Sequence, residues 1–283
     1  MRLYSVLYFY TMKKCFLFCA ALLIYTNYSC STNPYRVTNR TYKKQVKTLA
    51  KTIKVFPSNA GIDSIAPAPY PVGTVNFNLR KPNYVIIHHT AQDSVKQTLR
   101  TFTLVRTQVS AHYVIAKDGT VYHMLNDYLR AWHGGIARWG NNKDINSSSI
   151  GIELDNNGFE PFTEPQINSL LHVLASLKKN YNIPTENFIG HGDIAPKRKN
   201  DPNPFFPWKL LSEKGFGYWY DDTTNIPLPV DFNNLQALRI IGYDVQDSVA
   251  AITAFHRHFE ADSLPTLNDA DRKVLFMVMK KYM

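Results

Sequence analysis

Apolar and polar positions along the chain follow two periods. Residues 84–90 (Y-V-I-I-H-H-T) form a short apolar run that predicts a buried strand, and Val95, Leu99, Phe102 and Val105 recur after it at helical spacing. Residues 112–116 and 120–124 flank Lys117-Asp118-Gly119, and Asp-Gly between two apolar runs predicts a β-hairpin. Residues 148–154 (S-S-I-G-I-E-L) predict a further strand. Thr163-Glu164-Pro165-Gln166 reads as a capping box with Pro in the first turn. Ile167, Leu170, Leu171, Leu174 and Leu177 then line one face of a helix that closes on Lys178 and Lys179, where the macrodipole favours cations. A short strand over 188–190 leads to His191. Strands mixed with helices, one hairpin among them, predict an α/β domain with a mixed β-sheet flanked by helices. From Pro229 the pattern changes: Leu235, Leu238 and Ile241, then Val249, Ile252, Phe255 and Phe259, then 274–279, fit a small C-terminal domain of three short helices.

The first residues read as an address. Lys13 and Lys14 precede an apolar run over 15–25, too short for a spanning helix, which needs ~20 residues, and suited to the apolar region of an export signal. Met12-Lys13-Lys14 has the form of a signal beginning. The run ends in Asn27-Tyr28-Ser29-Cys30, which resembles a lipoprotein signal whose Cys30 is lipidated after cleavage; ordinary secretion and an uncleaved anchor are the alternatives. Cleavage there removes Arg2, Lys13 and Lys14 and lowers the formal charge from +10 to +7. Arg36, Arg40, Lys43, Lys44, Lys47, Lys51 and Lys54 then form a basic stretch without acids, read as a solvated tether or as a segment lying against anionic lipid or wall polymer. Pro57, Pro67, Pro69 and Pro71 with Gly61 and Gly73 mark a linker. The expected organisation is a signal peptide over 1–29, a lipidated basic tether and linker over 30–75, a catalytic domain over 76–228 and a helical domain over 229–283.

Composition narrows the chemistry. A hydrophobic share of 45% and a charged share of 19% over 283 residues suit a globular chain. Lys plus Arg number 32 against 22 Asp plus Glu, an excess that by itself admits nucleic acid, an anionic membrane or an acidic glycan as partner. The export signal and the lack of a recognised binding motif argue for no nucleic acid. The cysteines are Cys15, Cys19 and Cys30, so the body can build neither a disulfide framework nor a thiolate metal site. A metal there must use His and carboxylate.

His88 and His89 end the first strand of the body, and His191 ends a later one, followed by Asp193, Lys199 and Asp201. Neighbours on a strand face opposite ways, so only one of His88 and His89 can enter a given pocket. A catalytic zinc site needs three protein ligands and an open position, which two His and one carboxylate satisfy; His88, His191 and Asp201 can supply them. Strand histidines are more often structural, and an Asp in a Pro-rich loop more often caps a turn, so the residues alone leave both readings open.

The series Ile87-His88-His89-Thr90-Ala91, Ser110-Ala111-His112-Tyr113, Ala131-Trp132-His133-Gly134-Gly135, Ser149-Ile150-Gly151-Ile152-Glu153-Leu154 and Gly190-His191-Gly192-Asp193-Ile194-Ala195-Pro196 resembles, in this order, the type-2 N-acetylmuramoyl-L-alanine amidases. Lys197-Arg198-Lys199-Asn200-Asp201-Pro202 and Phe206-Pro207-Trp208 extend the likeness, in particular to the outer-membrane lipoprotein amidases that act on muropeptides, anhydro-muropeptides included. The resemblance spans about residues 80–222 and implies the fold shared with peptidoglycan recognition proteins. It implies that His88, His191 and Asp201 hold Zn2+, that Glu153 is the general base, and that Lys199 is the oxyanion partner. Zn2+ would lower the pKa of a bound water toward ~7 and polarise the lactyl-amide carbonyl, while Glu153 moves the proton to the leaving L-alanine nitrogen. Phage relatives carry a Tyr before the His of the Ser-Ala-His-Tyr segment, where this chain has Ala111, so Glu153 is the one base expected. His112, Trp132 and His133 are expected to line the glycan and peptide cleft, with packing or orientation of a ligand as the alternative. Asp193 is read as a loop cap or as orienting His191, and His256 and His258 receive no catalytic role.

The segment with Leu235, Leu238, Gly242-Tyr243 and Phe255-His256-Arg257-His258-Phe259 resembles the three-helix peptidoglycan-binding domain that follows such amidases, without its usual Asp-Gly turn. A bundle docked on the catalytic domain is the alternative. For the whole chain the leading expectation is a zinc amidase of peptidoglycan or muropeptides, exported and lipid-anchored in the outer membrane facing the periplasm. Its rival is a non-catalytic peptidoglycan-binding module, which typically lacks a ligand or the base.

Overall fold

The computed structural model describes residues 33–55, 74, 76, 78–79 and 81–283. The signal reading of 1–29, the lipidation reading of Cys30 and nearly all of the proposed linker lie outside the described residues. The chain divides into two compact units, Met1–Phe77 and Asn78–Met283. The described part of the first is helix α1 (Arg36–Ile53), none of whose residues is buried. The basic stretch is therefore helical: it has no Gly or Pro, and Tyr42, Val46, Leu49 and Ile53 recur at steps of four and three. No helix among the described residues is long and apolar enough to cross a membrane.

The second unit is built on five strands: β1 (Tyr84–His89), β2 (Tyr113–Ile115), β3 (Val121–His123), β4 (Ser149–Leu154) and β5 (Phe188–Gly190). Their order across the sheet is β3-β2-β4-β1-β5, with β2 and β3 an antiparallel hairpin and the other neighbours parallel. The mixed sheet flanked by helices is the architecture that the pattern predicts.

Strand alternation divides the core. Val85 and Ile87 of β1, with Ile150, Ile152 and Leu154 of β4, face one side and pack against Ile167, Leu170, Leu174 and Leu177 of helix α3 (Glu164–Tyr181). Helix α2 (Val95–Thr103) lies between β1 and β2 in the chain. Thr163 caps α3 by accepting from the Gln166 amide N–H, but the reciprocal half of the capping box is absent. The fully buried Gln166 side chain instead donates to the carbonyls of Ile115 and Asp155, tying α3 to the ends of β2 and β4.

The opposite face carries Ile86 and Ile189 and is covered by the C-terminal helices α6 (Asn234–Ile241), α7 (Ser248–Phe259) and α8 (Asp269–Lys281), after the short α4 (His191–Ile194) and α5 (Trp208–Glu213). Ala237, Leu238, Phe255, Leu275 and Val278 share one core with Ile86, Trp139 and Ile189, so residues 229–283 belong to the same compact unit as the sheet. At Gly242 (φ 134°) the backbone runs against Trp139, and an added Cβ would lie 2.5 Å from its ring.

Candidate functional site

On the Ile86 side of the sheet, alternation also places His88 of β1 and Ser149, Gly151 and Glu153 of β4. His88 stands opposite Glu153 in the parallel register. His191 begins α4 at the end of β5, and the Gly192 N–H donates to the Asp201 carbonyl at 2.6 Å, folding loop 192–201 back onto the sheet. Three donor atoms meet there. His88 Nδ1 and His191 Nδ1 are 2.9 Å apart, and Asp201 Oδ2 is 3.0 Å from each. His89, next along β1, turns the other way, its ring against Gly158.

Proton positions follow from the partners. The Ser149 hydroxyl donates to the Ile145 carbonyl at 2.7 Å, so its oxygen accepts from His133 Nε2–H at 3.1 Å. His133 Nδ1 is then the acceptor of His88 Nε2–H at 3.1 Å, which leaves a lone pair on His88 Nδ1. His191 Nε2–H donates to the Gly134 carbonyl, leaving its Nδ1 bare as well. Two imidazole lone pairs and a carboxylate thus converge without a proton of their own. One shared proton satisfies at best two of the three contacts, whereas a metal ion satisfies all three. The donor set therefore fits a divalent ion that accepts nitrogen and oxygen, and His88, His191 and Asp201 form the one group of this kind among the described residues.

The electrostatics agree. Burial, then the neighbouring His191, push His88 down to about 4, and burial holds His133 well below the ordinary imidazole value. Burial alone would raise Asp201, yet its contacts with His191 and His88 hold the carboxyl well below the usual range. Glu153 behaves oppositely: burial, then the charge of Asp201, push it up to about 8, with Lys199 opposing. Its Oε1 lies 4.0 Å from His88 Nδ1, and its buried Oε2 has no hydrogen-bond partner.

A cavity of about 310 Å3 opens over these groups, with Gln92, Thr101, Ser110, Trp132, Arg198 and Lys199 on its walls. The backbone N–H groups of Arg198 and Lys199 both donate to the Ala195 carbonyl, a turn that brings Lys199 to the cavity beside Glu153. Trp132 is half-exposed on the same wall. His133 is buried and acts on His88 rather than on the open cavity. His112, expected at the cleft, is not there: it is fully buried, its Nε2 donates to the Leu129 carbonyl and its Nδ1 accepts from the Gly151 N–H. Both ring nitrogens are occupied by backbone, so His112 holds the β2–β4 region together.

Several contributors escaped the sequence reading. Ser149 and Gly151 lie two and four residues before Glu153, an alternation that could have been read from β4. An added Cβ at Gly151 would lie 2.4 Å from the His133 ring, so glycine is what admits that ring. Asp193, two residues past His191, accepts from the Gly190 N–H at 2.8 Å, from the Tyr243 hydroxyl at 2.9 Å and from His258 Nδ1 at 2.8 Å. Tyr243 and His258 come from the helical tail, and no local signal announces them.

The family model described as N-acetylmuramoyl-L-alanine amidase matches residues 78–204. The N-acetylmuramoyl-L-alanine amidase AmiD of Escherichia coli (strain K12) is 34% identical over 218 residues, covering 66% of this chain and 76% of that protein. The 1,6-anhydro-N-acetylmuramyl-L-alanine amidase AmpD of Haemophilus influenzae is 36% identical over 107 residues, or 38% of this chain and 58% of the relative. Among solved structures, the complex of E. coli AmiD with the substrate anhydro-N-acetylmuramic acid-L-Ala-D-gamma-Glu-L-Lys matches with a TM-score of 0.66 at 27% identity, covering 76% of this chain and 96% of that one. AmpDh3 of Pseudomonas aeruginosa in complex with anhydromuramic pentapeptide matches with a TM-score of 0.64 at 26% identity, covering 78% and 99%.

Proposed function

The chain belongs to the N-acetylmuramoyl-L-alanine amidase family, and we propose that its cavity hydrolyses the amide between the lactyl group of N-acetylmuramic acid and the L-alanine of the stem peptide. The observation that carries this reading is the convergence of His88 Nδ1, His191 Nδ1 and Asp201 Oδ2 on one point, with Glu153 beside it and Lys199 on the wall of the same cavity. Zn2+ held by these three atoms would supply a polarised carbonyl and a water acidified toward a pKa of ~7. Glu153, buried and with one oxygen unpaired, takes the proton of the attacking water and returns it to the leaving L-alanine nitrogen. Lys199 offsets the charge that develops on the carbonyl oxygen. Trp132 offers a flat apolar wall to glycan or peptide.

The substrate class is peptidoglycan and its muropeptides. A non-catalytic binding module is disfavoured because ligands, base and cation all stand at one cavity. In this reading residues 1–29 direct export, and acylation of Cys30 anchors the protein in the outer membrane facing the periplasm. The helices of 229–283, similar in sequence to a peptidoglycan-binding domain, would add a hold on glycan.

The test is mass spectrometry of muropeptides incubated with the protein, with and without chelator and zinc add-back. Free stem peptides beginning at L-alanine should appear, vanish on chelation and return with zinc. Glu153→Gln should keep stoichiometric zinc and lose turnover by 100-fold or more, within the range of about 10²–10⁴ for a positioned base. Intact muropeptides in the presence of folded, zinc-loaded protein would overturn the proposal.

A further inference from the structure

Helix α1 presents a surface that the amidase reading leaves unused. None of its residues is buried, and its side chains sort by face. At about 100° per residue, Tyr35, Tyr42, Val46, Leu49 and Ile53 fall within an arc of about 60°. Arg36, Arg40, Lys43, Lys44, Lys47, Lys51 and Lys54 fall within a second arc of about 100°, separated from the first by about 60° on its nearer side. Thr38, Thr41, Gln45, Thr48 and Thr52 occupy most of the remainder, with Val37 the one aliphatic residue of the helix off the stripe. No Asp or Glu occurs before Asp63.

This arrangement calls for a partner. Arg36 with Arg40, Arg40 with Lys44, Lys43 with Lys47 and Lys47 with Lys51 are like charges at i,i+4, which weaken an isolated helix. The first turn has neither an acidic residue nor a side-chain cap. An uncapped helix of this length without a buried face is marginal in water.

Charge and chemistry select the partner. A second copy would cover the stripe, because 42, 46, 49 and 53 have coiled-coil spacing, but it would set seven cations against seven with no acid to pair. A wall polymer would meet the charge and leave the aliphatic stripe in water. An anionic lipid surface meets both: the aliphatic and tyrosyl side chains enter the interface, and the long basic stems reach back to the headgroups. We propose that α1 lies in the plane of an anionic phospholipid leaflet, apolar stripe inward, and that 56–74 spaces the catalytic unit from it. Arg36 is six residues past Cys30, so an acyl chain there would deliver the helix to the same surface, but the proposal depends neither on acylation nor on the amidase reading.

The experiment is amide hydrogen exchange of the peptide covering 36–54 in the mature protein, reconstituted on vesicles of phosphatidylcholine alone or mixed with phosphatidylglycerol. Exchange should be about tenfold slower or more on the anionic vesicles, a difference that high salt shrinks. The triple variant Lys43→Glu, Lys47→Glu, Lys51→Glu should lose it, and so should Val46→Ser, Leu49→Ser, Ile53→Ser, which keeps every charge. Cleavage of soluble muropeptides by both variants should match the parent and certifies that the catalytic unit is folded. Equal exchange on the two kinds of vesicle overturns the proposal. So does protection that grows with protein concentration in the absence of lipid, which means a second copy, or protection given by purified peptidoglycan and not by anionic vesicles, which means wall polymer.

Discussion

Replacing Ser149 by Ala isolates the chain of hydrogen bonds behind the metal-facing nitrogen of His88. The Ser149 hydroxyl is buried, donating to the Ile145 carbonyl at 2.7 Å and accepting from His133 Nε2–H at 3.1 Å. Without it the Ile145 carbonyl keeps a donor, the Ser148 hydroxyl at 3.2 Å, so the one group orphaned is the imidazole N–H. A buried donor left unpaired costs about 1–3 kcal/mol. His133 can escape only by moving its proton to Nδ1, where it meets His88 Nε2–H and forces the His88 proton onto Nδ1, the atom aimed at the metal. Metal must then displace that proton, so the cost appears in zinc affinity, as a loss of about 5- to 150-fold, which brackets the range seen when such supporting partners are removed. The assay is competition for zinc between the metal-free protein and a chromophoric chelator, with thermal unfolding of the metal-free forms alongside. Ser148→Ala, which leaves His133 untouched, is the control and should bind zinc as the parent does. The reasoning fails if Ser149→Ala lowers the stability of the metal-free protein yet binds zinc within twofold of the parent.

Four further outcomes are expected. Asp201→Ala should lose stoichiometric zinc by metal analysis; unchanged content would mean that another residue is the third ligand. Gly151→Ala sets a methyl 2.4 Å from the His133 ring and should cost about 1–3 kcal/mol in urea unfolding together with weaker zinc binding, whereas parent-like behaviour would show that the ring is free to move. Tyr243→Phe and His258→Ala each withdraw a donor from the buried Asp193 carboxylate and should lower both stability, by about 1–3 kcal/mol, and zinc affinity; if zinc affinity held in both variants, the tail would not brace the site. In the metal-free protein burial pushes Glu153 up to about 8 from an ordinary value of 4.5, so the folded chain holds this proton more tightly than the unfolded one. That contribution is intact below pH 4.5 and is lost as the pH rises through 8, so Glu153→Gln should gain on the parent in denaturant stability between pH 5 and pH 8; a constant gap across this window would refute the assignment.

The sequence by itself determined the strands, the hairpin, the long helix α3 and the ordered motifs that carry the ligands. These are local matters: the pitch of a helix and the alternation of a strand repeat within a few residues, and Asp118-Gly119 or Thr163 acts on its immediate neighbours. Alternation also separated His88 from His89 before any coordinates, because one strand cannot aim both at the same pocket. What only the tertiary structure decided is which nitrogen of each histidine faces what. His112 and His133 come from motifs of equal appearance, yet one is bound at both nitrogens by backbone and the other relays a hydrogen bond to His88. The same holds for the helical tail, whose Tyr243 and His258 reach Asp193 from 50 and 65 residues away. Such partners are chosen by how the sheet and the helices pack, a sum of many weak contacts spread over the chain. Periodicity records which face of an element is buried, and it carries no information about which distant polar atom will be waiting there.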